Sequence, residues 1–178
     1  MKKIKDPILL GVVSGLAGNL LKNIGNFVNV KLGMTQSTYP RVAGGIFMKQ
    51  NQVESIPGKT VGWIADSAVA GGLGIGLVYL LKLTGKDHAL IKGVIYGDSA
   101  WTVLYTFANK LGVSKIYPLD PKTNLSGYMN NTLYGIGTVL AATTLGDEDL
   151  FAKEDIEINK NPDEIKIRPV KTRRVRYS

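Results

Sequence analysis

Four long apolar stretches alternate with polar connections along the first 145 residues. They cover about residues 7–28, 61–83, 89–111 and 125–145. Each holds about the ~20 residues that a helix needs to cross the hydrocarbon of a bilayer. The pattern predicts an all-α membrane protein, a four-transmembrane-helix bundle with both ends on the same side of the membrane. The alternative is a soluble bundle of buried, glycine-rich helices.

The connections between these spans predict how the spans are arranged. Residues 84–88 form a polar turn so short that spans two and three are expected to be antiparallel neighbours. In the first connection, Thr38 can cap a short amphipathic helix over residues 39–50 that lies at the membrane interface, and a plain loop is the alternative. Asn124 is a good N-cap for span four.

A highly charged tail, residues 147–178, follows the predicted membrane domain of residues 1–146. Two pairs of isoleucines in the tail alternate with charged residues around a turn-like segment, which predicts a β-hairpin in need of a partner surface. The alternative is a disordered charged tail. Its basic end can bind anionic lipid or a partner protein. The tail residues concerned are Ile156, Ile158, Ile165, Ile167, Arg173, Arg174 and Arg176.

Composition supports the membrane interpretation and excludes several kinds of site. Glycine supplies 21 of the 178 residues and is concentrated in the apolar stretches. A glycine costs about 1 kcal/mol inside a soluble helix, whereas membrane helices use small residues to approach closely. The absence of cysteine excludes disulfides, zinc–thiolate sites and cysteine nucleophiles. The one histidine, His88, lies in a charged connection, so the sequence gives little basis for a histidine metal site or a Ser-His-Asp triad. We therefore expect no enzyme, no metal, no cofactor and no small-molecule substrate.

Polar and small residues recur at helical spacing in every span, and these faces are expected to turn inward. At ~1.5 Å per residue, Lys22 lies ~21 Å into span one, and Asp66 and Asn130 lie ~8 Å into theirs from that same side. We therefore expect a Lys22–Asp66 ion pair with Asn130 and Tyr105 as hydrogen-bond partners. Asp98 lies near mid-bilayer without an obvious cation partner. The predicted inward faces are Gly15, Asn19, Lys22 and Asn26 in span one, Asp66, Ala70 and Gly74 in span two, Asp98, Thr102, Tyr105 and Asn109 in span three, and Asn130, Tyr134 and Thr138 in span four.

Glycines spaced four residues apart predict faces where helices pack closely, within one chain or between chains. Gly11, Gly15 and Gly18 mark such a face in span one, and Gly72 and Gly76 mark one in span two.

Four short phrases carry a resemblance to known proteins. They are residues 5–11 (KDPILLG), residues 84–88 (TGKDH), Tyr96-Gly97 with Trp101, and residues 120–124 (DPKTN). On these phrases the chain resembles a group of uncharacterised small four-span membrane proteins of Gram-positive, spore-forming bacteria. The resemblance covers residues 5–146. It implies a fold and a membrane location but no activity, so no functional residue follows from it.

The leading functional hypothesis is a non-enzymatic membrane protein that self-associates as a structural or scaffold component, in its strongest form as an ordered membrane array or tube. One alternative is a small channel or transporter that uses Asp66 and Asp98, and another is a membrane adaptor subunit.

Positive charge near the ends favours cytoplasmic termini. Membrane lipid and further copies of the chain are the expected partners. Nucleic acid is not, because the tail is charge-balanced and the net charge of +8 belongs to the residues before it.

Overall fold

The structure is a computed structural model that describes residues 3–36, 38–110 and 120–151, and these residues are all-helical, without a strand. Two of the described helices, Pro7–Lys31 and Ile56–Thr84, are long and apolar enough to cross a membrane by length and composition. The hairpin predicted in the tail lies outside the described residues. The elements are α1 Pro7–Lys31, α2 Tyr39–Phe47, α3 Gln50–Val53, α4 Ile56–Thr84, α5 Ala89–Lys110, α6 Pro121–Leu145 and a one-turn 3-10 helix Glu148–Phe151.

A capping side chain fixes the start of three long helices. The Asp6 carboxylate accepts a bond from the backbone N–H of Leu9 at 2.6 Å to start α1, and the Ser55 hydroxyl accepts one from Gly58 at 3.1 Å to start α4. A proline follows Asp6 directly and follows Ser55 after one residue, and its missing N–H costs nothing in the first turn.

The cap of α6 is Asp120, so the prediction that Asn124 caps this helix is wrong. The Asp120 carboxylate accepts bonds from the backbone N–H of Lys122 at 2.9 Å and from the hydroxyl of Thr123 at 2.7 Å. These bonds hold the pKa of Asp120 below its ordinary value, and the bond from the Thr123 hydroxyl has the largest effect. The helix thereby gains a full turn before Asn124.

Among the long helices, α1 packs between α4 and α6, and α6 packs between α1 and α5. The predicted contact between α4 and α5 exists only near the turn that joins them. There Lys92 Nζ donates to the carbonyl of Gly85 at 2.9 Å, and the Tyr96 hydroxyl donates to that of Leu73 at 2.8 Å. On the side of Leu73 away from the turn, a cleft opens between α4 and α5, because α4 packs mainly against α1 and α5 mainly against α6.

The chain enters α1 and leaves α6 at the same end of the molecule. The backbone N–H of Ile4 donates to the carbonyl of Leu145 at 2.9 Å, and that of Asp147 donates to the carbonyl of Ile4 at 3.0 Å. The apolar core lies at this end, closed by Phe151 of the 3-10 helix. Its buried members are Leu10, Leu77, Val78, Leu81, Val139, Ala142 and Phe151.

Helix α2 shows that the first connection is not a plain loop. The helix starts after Thr38, as predicted, but the Thr38 side chain makes no capping bond and the helix ends at Phe47. It packs against α4 where two glycines meet: a Cβ added at Gly62 would strike the carbonyl of Pro40, and Gly44 lies beside Gly62. This contact holds α2 across one end of the long helices.

Glycines of α1 serve contacts within the chain. A Cβ at Gly11 would strike the Ile75 backbone, one at Gly15 would strike the Ala70 carbonyl, and one at Gly18 would strike α6 at Tyr134 and Thr138. These glycines are the predicted packing face, and they let α1 touch both neighbours backbone to backbone.

The three glycines of α4 near this predicted face have different surroundings. A Cβ at Gly74 would strike Gly11 and Gly15 on α1, whereas a Cβ at Gly72 meets no atom of the described residues within 4 Å. Gly76 faces the hydroxyl of Tyr96 on α5. Gly72 is thus a small residue on an open helix face.

A second glycine contact, missed from the sequence, joins α5 to α6. A Cβ at Gly93 would approach the Gly135 carbonyl at 2.7 Å, and one at Gly97 would strike the Asn131 carbonyl. Gly93 and Gly97 are four residues apart, so the same spacing rule that singled out α1 could have found them.

Adding one methyl group should separate the packing glycines from the open ones. We expect Gly135→Ala to lower the melting temperature, because its Cβ would strike the Gly93 backbone, which cannot move without parting α5 from α6. Gly71→Ala is the control: its Cβ meets a Val12 methyl at 3.8 Å, an ordinary contact, and it should not lower the melting temperature. Equal melting temperatures for the two variants in detergent would contradict the close α5–α6 packing.

Candidate functional site

Polar side chains dominate the interior of the described residues. Twelve polar or charged residues are buried there, against ten hydrophobic ones, while twenty-seven large hydrophobic residues are exposed. Apart from the Ser14 hydroxyl, the buried side-chain nitrogen and oxygen atoms of the described residues all have hydrogen-bond partners. The interior is therefore a satisfied polar network surrounded by an apolar surface.

A buried ion pair between α1 and α4 lies at the centre of this network. Lys22 Nζ is 2.7 Å from Asp66 Oδ1, and the two side chains are 8% and 6% exposed. The second carboxylate oxygen of Asp66 accepts a bond from Asn23 Nδ2 at 3.0 Å. Both oxygens are thus bound, which a buried carboxylate requires. The depth of the two residues in their spans led to the expectation of this contact.

Tyr39 of α2 covers the lysine. Its ring centroid is 4.2 Å from Lys22 Nζ, within the range of a cation–π interaction. The Tyr39 hydroxyl accepts a bond from Asn131 Nδ2 at 3.1 Å, and the ring meets Trp101 edge-on at 6.0 Å. One aromatic side chain therefore connects α2 to the ion pair and to both α5 and α6.

Asn130 does not have the role predicted for it. Asn130 Oδ1 accepts a bond from Asn29 Nδ2 at 3.0 Å, and Asn130 Nδ2 donates to Ser126 Oγ at 3.2 Å. Asn130 thus joins α1 to α6, and Asn23 is the amide that bonds to the ion pair. Tyr105 lines the same cleft as the pair and its ring lies 5.7 Å from that of Trp101.

Asp98 has a neutral partner on α6. Its Oδ1 accepts a bond from the Thr132 hydroxyl at 2.9 Å, and the residue is half-buried. The predicted inward face of span three is wrong at Thr102, which is exposed, because the glycine face of α5 takes the interior instead. The side chain of Asn109 lies outside the described residues. The inward faces predicted for α1, α4 and α6 are all buried.

The ion pair forms the inner end of the cleft between α4 and α5. This cavity has a volume of about 280 Å³, and its walls are mostly apolar and aromatic. Asp98 is not among the residues that line it. Asp66 and Asp98 therefore do not both line this cavity. The residues that define the cleft are Lys22, Asp66, Leu73, Leu104, Tyr105 and Phe107.

Sequence reasoning missed Asn23 and Tyr39. Asn23 lies one position beyond the inward face read at helical spacing, and a long amide can reach across that gap. Tyr39 belongs to a connection, so span periodicity carries no information about it. The one signal in the sequence is that Tyr39 is the first residue of the predicted short helix.

Compared with known proteins, the chain matches no family model, no curated protein and no solved structure. The resemblance to small four-span membrane proteins therefore remains a prediction, and the site is interpreted from its geometry alone.

Removing one member of the ion pair should cost far more than removing both. We expect Lys22→Met to destabilise the protein by about 3–5 kcal/mol, because a buried charge loses its partner. The double variant Lys22→Met with Asp66→Leu should recover most of that loss. Lys82→Met, which removes an exposed lysine of α4, is the matched control.

Thermal unfolding in detergent measures these differences. If the double variant is as unstable as the single variant, the two side chains are not coupled and the pair does not hold α1 against α4.

Proposed function

We propose that the protein is a four-span integral membrane protein, with α1, α4, α5 and α6 as its spans. The observation that carries the proposal is the inverted distribution of polarity: a satisfied polar interior under an apolar surface. In water such a surface would be covered or would aggregate. In lipid it has no such cost, and the polar groups belong inside.

Helices α5 and α6 do not meet the hydropathy criterion that α1 and α4 meet. Their support is the exposed face instead. With 22 and 25 residues they are about 33 and 38 Å long, enough to cross the hydrocarbon. The low mean hydropathy of α6 comes from polar residues turned toward neighbouring helices. The large hydrophobic residues that they expose are Leu90, Ile91, Ile95, Val103, Leu104 and Phe107 on α5, and Leu125, Tyr128, Met129 and Leu140 on α6.

The proposal keeps both ends of the chain on one side. Its support is the pairing of Ile4 with the residues after α6. Basic residues concentrated at the chain end favour the cytoplasm for that side.

Within the membrane, we propose a non-enzymatic structural role that depends on self-association. Ala68 and Gly72 lie four residues apart and are exposed on α4, and Gly76 continues this spacing beside Tyr96. No atom of the described residues lies within 4 Å of where a Cβ of Gly72 would be, so its small size serves no contact among them. Small residues at this spacing allow a second helix to approach closely. The charged tail gives a further pairing element, and an ordered array is the extended form of the proposal.

A transport role is the second candidate, since the cleft reaches the Lys22–Asp66 pair. It has less support because both oxygens of Asp66 are already bound and Asp98 does not line the cleft. Cation or proton flux into proteoliposomes that Asp66→Asn abolishes, with the melting temperature retained, would make transport the leading function.

Gly72→Leu tests self-association through α4. Overpacking a close contact costs about 1–3 kcal/mol, so association should weaken about 5- to 150-fold. The fold of the single chain should survive, because the new side chain meets open space. Mass measurement in mild detergent and cross-linking in membranes report the change. Ala17→Leu adds the same kind of bulk on an exposed position of α1 and is the control.

A wild-type protein that is strictly monomeric in both measurements contradicts self-association altogether. An oligomer that both variants leave unchanged contradicts the α4 contact alone. Recovery of the protein from cells without detergent contradicts the membrane proposal itself.

A further inference from the structure

A second cavity, of about 450 Å³, opens on the side of the molecule away from the α4–α5 cleft. It runs between the C-terminal half of α1 and the start of α4, and the start of α2 closes one end. Its apolar wall includes Leu20 and Phe27, which are 66% and 59% exposed and lie ~10 Å apart along α1. Trp63 forms the facing wall on α4.

Three charged residues stand at the α2 end of this groove. Arg41 Nε is 3.2 Å from Glu54 Oε1, and Lys59 Nζ is 3.8 Å from Glu54 Oε2. One carboxylate therefore faces two cations. A guanidinium has five N–H donors and an ammonium has three, so one shared acid leaves donors on both. The groove thus has a positively charged end and an apolar length.

The surroundings add to this positive charge. Between residues 31 and 59 the chain carries four basic residues and one acidic residue. Lys59 and Trp63 are one helical turn apart on α4, and tryptophan is enriched where membrane hydrocarbon meets the headgroups. The charged end of the groove therefore lies at the level of the lipid headgroups. The apolar wall from Phe27 to Leu20 lies where the acyl chains begin.

We propose that this groove binds an anionic phospholipid, with the phosphate held by Arg41 and Lys59 and an acyl chain along Leu20, Phe27 and Trp63. The inference rests on the proposed membrane location. A free phosphate ion explains the cations but not the apolar length, and a zwitterionic lipid leaves the excess positive charge without a counterion. Phosphate oxygens suit both side chains, with arginine able to bind two at once.

Trp63 gives the groove its own reporter. The chain has two tryptophans, so Trp101→Phe leaves Trp63 as the single emitter. The full-length protein is reconstituted in phosphatidylcholine vesicles that contain an increasing fraction of either phosphatidylglycerol or phosphatidylcholine with brominated acyl chains. Bromine quenches tryptophan on contact. We expect brominated phosphatidylglycerol to quench Trp63 at roughly 25-fold lower mole fraction, since each of the two basic residues contributes about a fivefold preference for anionic lipid.

Replacing both cations tests the assignment. Arg41→Ala with Lys59→Ala should remove the preference, whereas Lys49→Ala with Lys82→Ala removes the same charge outside the groove and should retain it. All of these residues are exposed or half-buried, so the fold should persist, and thermal unfolding checks this.

Equal quenching by the two brominated lipids overturns the proposal while leaving the membrane location intact. The same holds if inorganic phosphate abolishes the preference, because the site then takes the free ion. Absence of quenching by either lipid places Trp63 away from hydrocarbon and contradicts the membrane proposal as well.

Discussion

The contact between Lys22 and Asp66 sets the arrangement of the other helices. A buried charge needs a partner, and these two side chains meet because α1 and α4 lie side by side with Lys22 and Asp66 at the same level. At 2.7 Å the pair fixes both the register of the two helices and the faces they turn to each other. Tyr39 then brings α2 over the lysine, and the bond from its hydroxyl partner Asn131 extends the network to α6.

Glycine sets how closely the helices pack around this contact. The backbones of α1 and α4 touch at Gly15 and Gly74, and those of α5 and α6 touch at Gly93 and Gly135. In the proposed membrane location, apolar side chains give little drive for helix association, so close packing and polar bonds supply it. The glycine contacts and the polar network therefore support the same arrangement, while Gly72 remains open on the outer face of α4.

Helical spacing in the sequence predicts part of the fold and of the site. Spacing and rise place residues by angle and depth, which is why the inward faces of α1, α4 and α6 and the Lys22–Asp66 contact could be derived. Spacing does not rank two faces of one helix. On α5 the sequence offers a polar face with Thr102 and a glycine face with Gly97, and backbone contact placed the glycine face inside.

Other features depended on information outside the spans. Tyr39 reaches the ion pair because of how a connection folds back, which no periodicity encodes. Asp120 and Asn124 are both good caps, and the proline directly after Asp120 decides between them. The apolar outer faces of α5 and α6 could not be judged from mean hydropathy, because it averages over all sides of a helix, while the structure separates the exposed residues from the inward ones.

The most direct measurement uses the absence of cysteine from the chain. A single cysteine at Ile95 of α5 or at Leu140 of α6, both exposed in the structure, can carry a nitroxide label in reconstituted vesicles. Four spans predict that both labels collide readily with oxygen, which concentrates in hydrocarbon, and poorly with a water-soluble nickel chelate. A label at Lys49 should show the reverse. If the labels at Ile95 and Leu140 behave like the label at Lys49, α5 and α6 lie in water and the four-span arrangement is wrong.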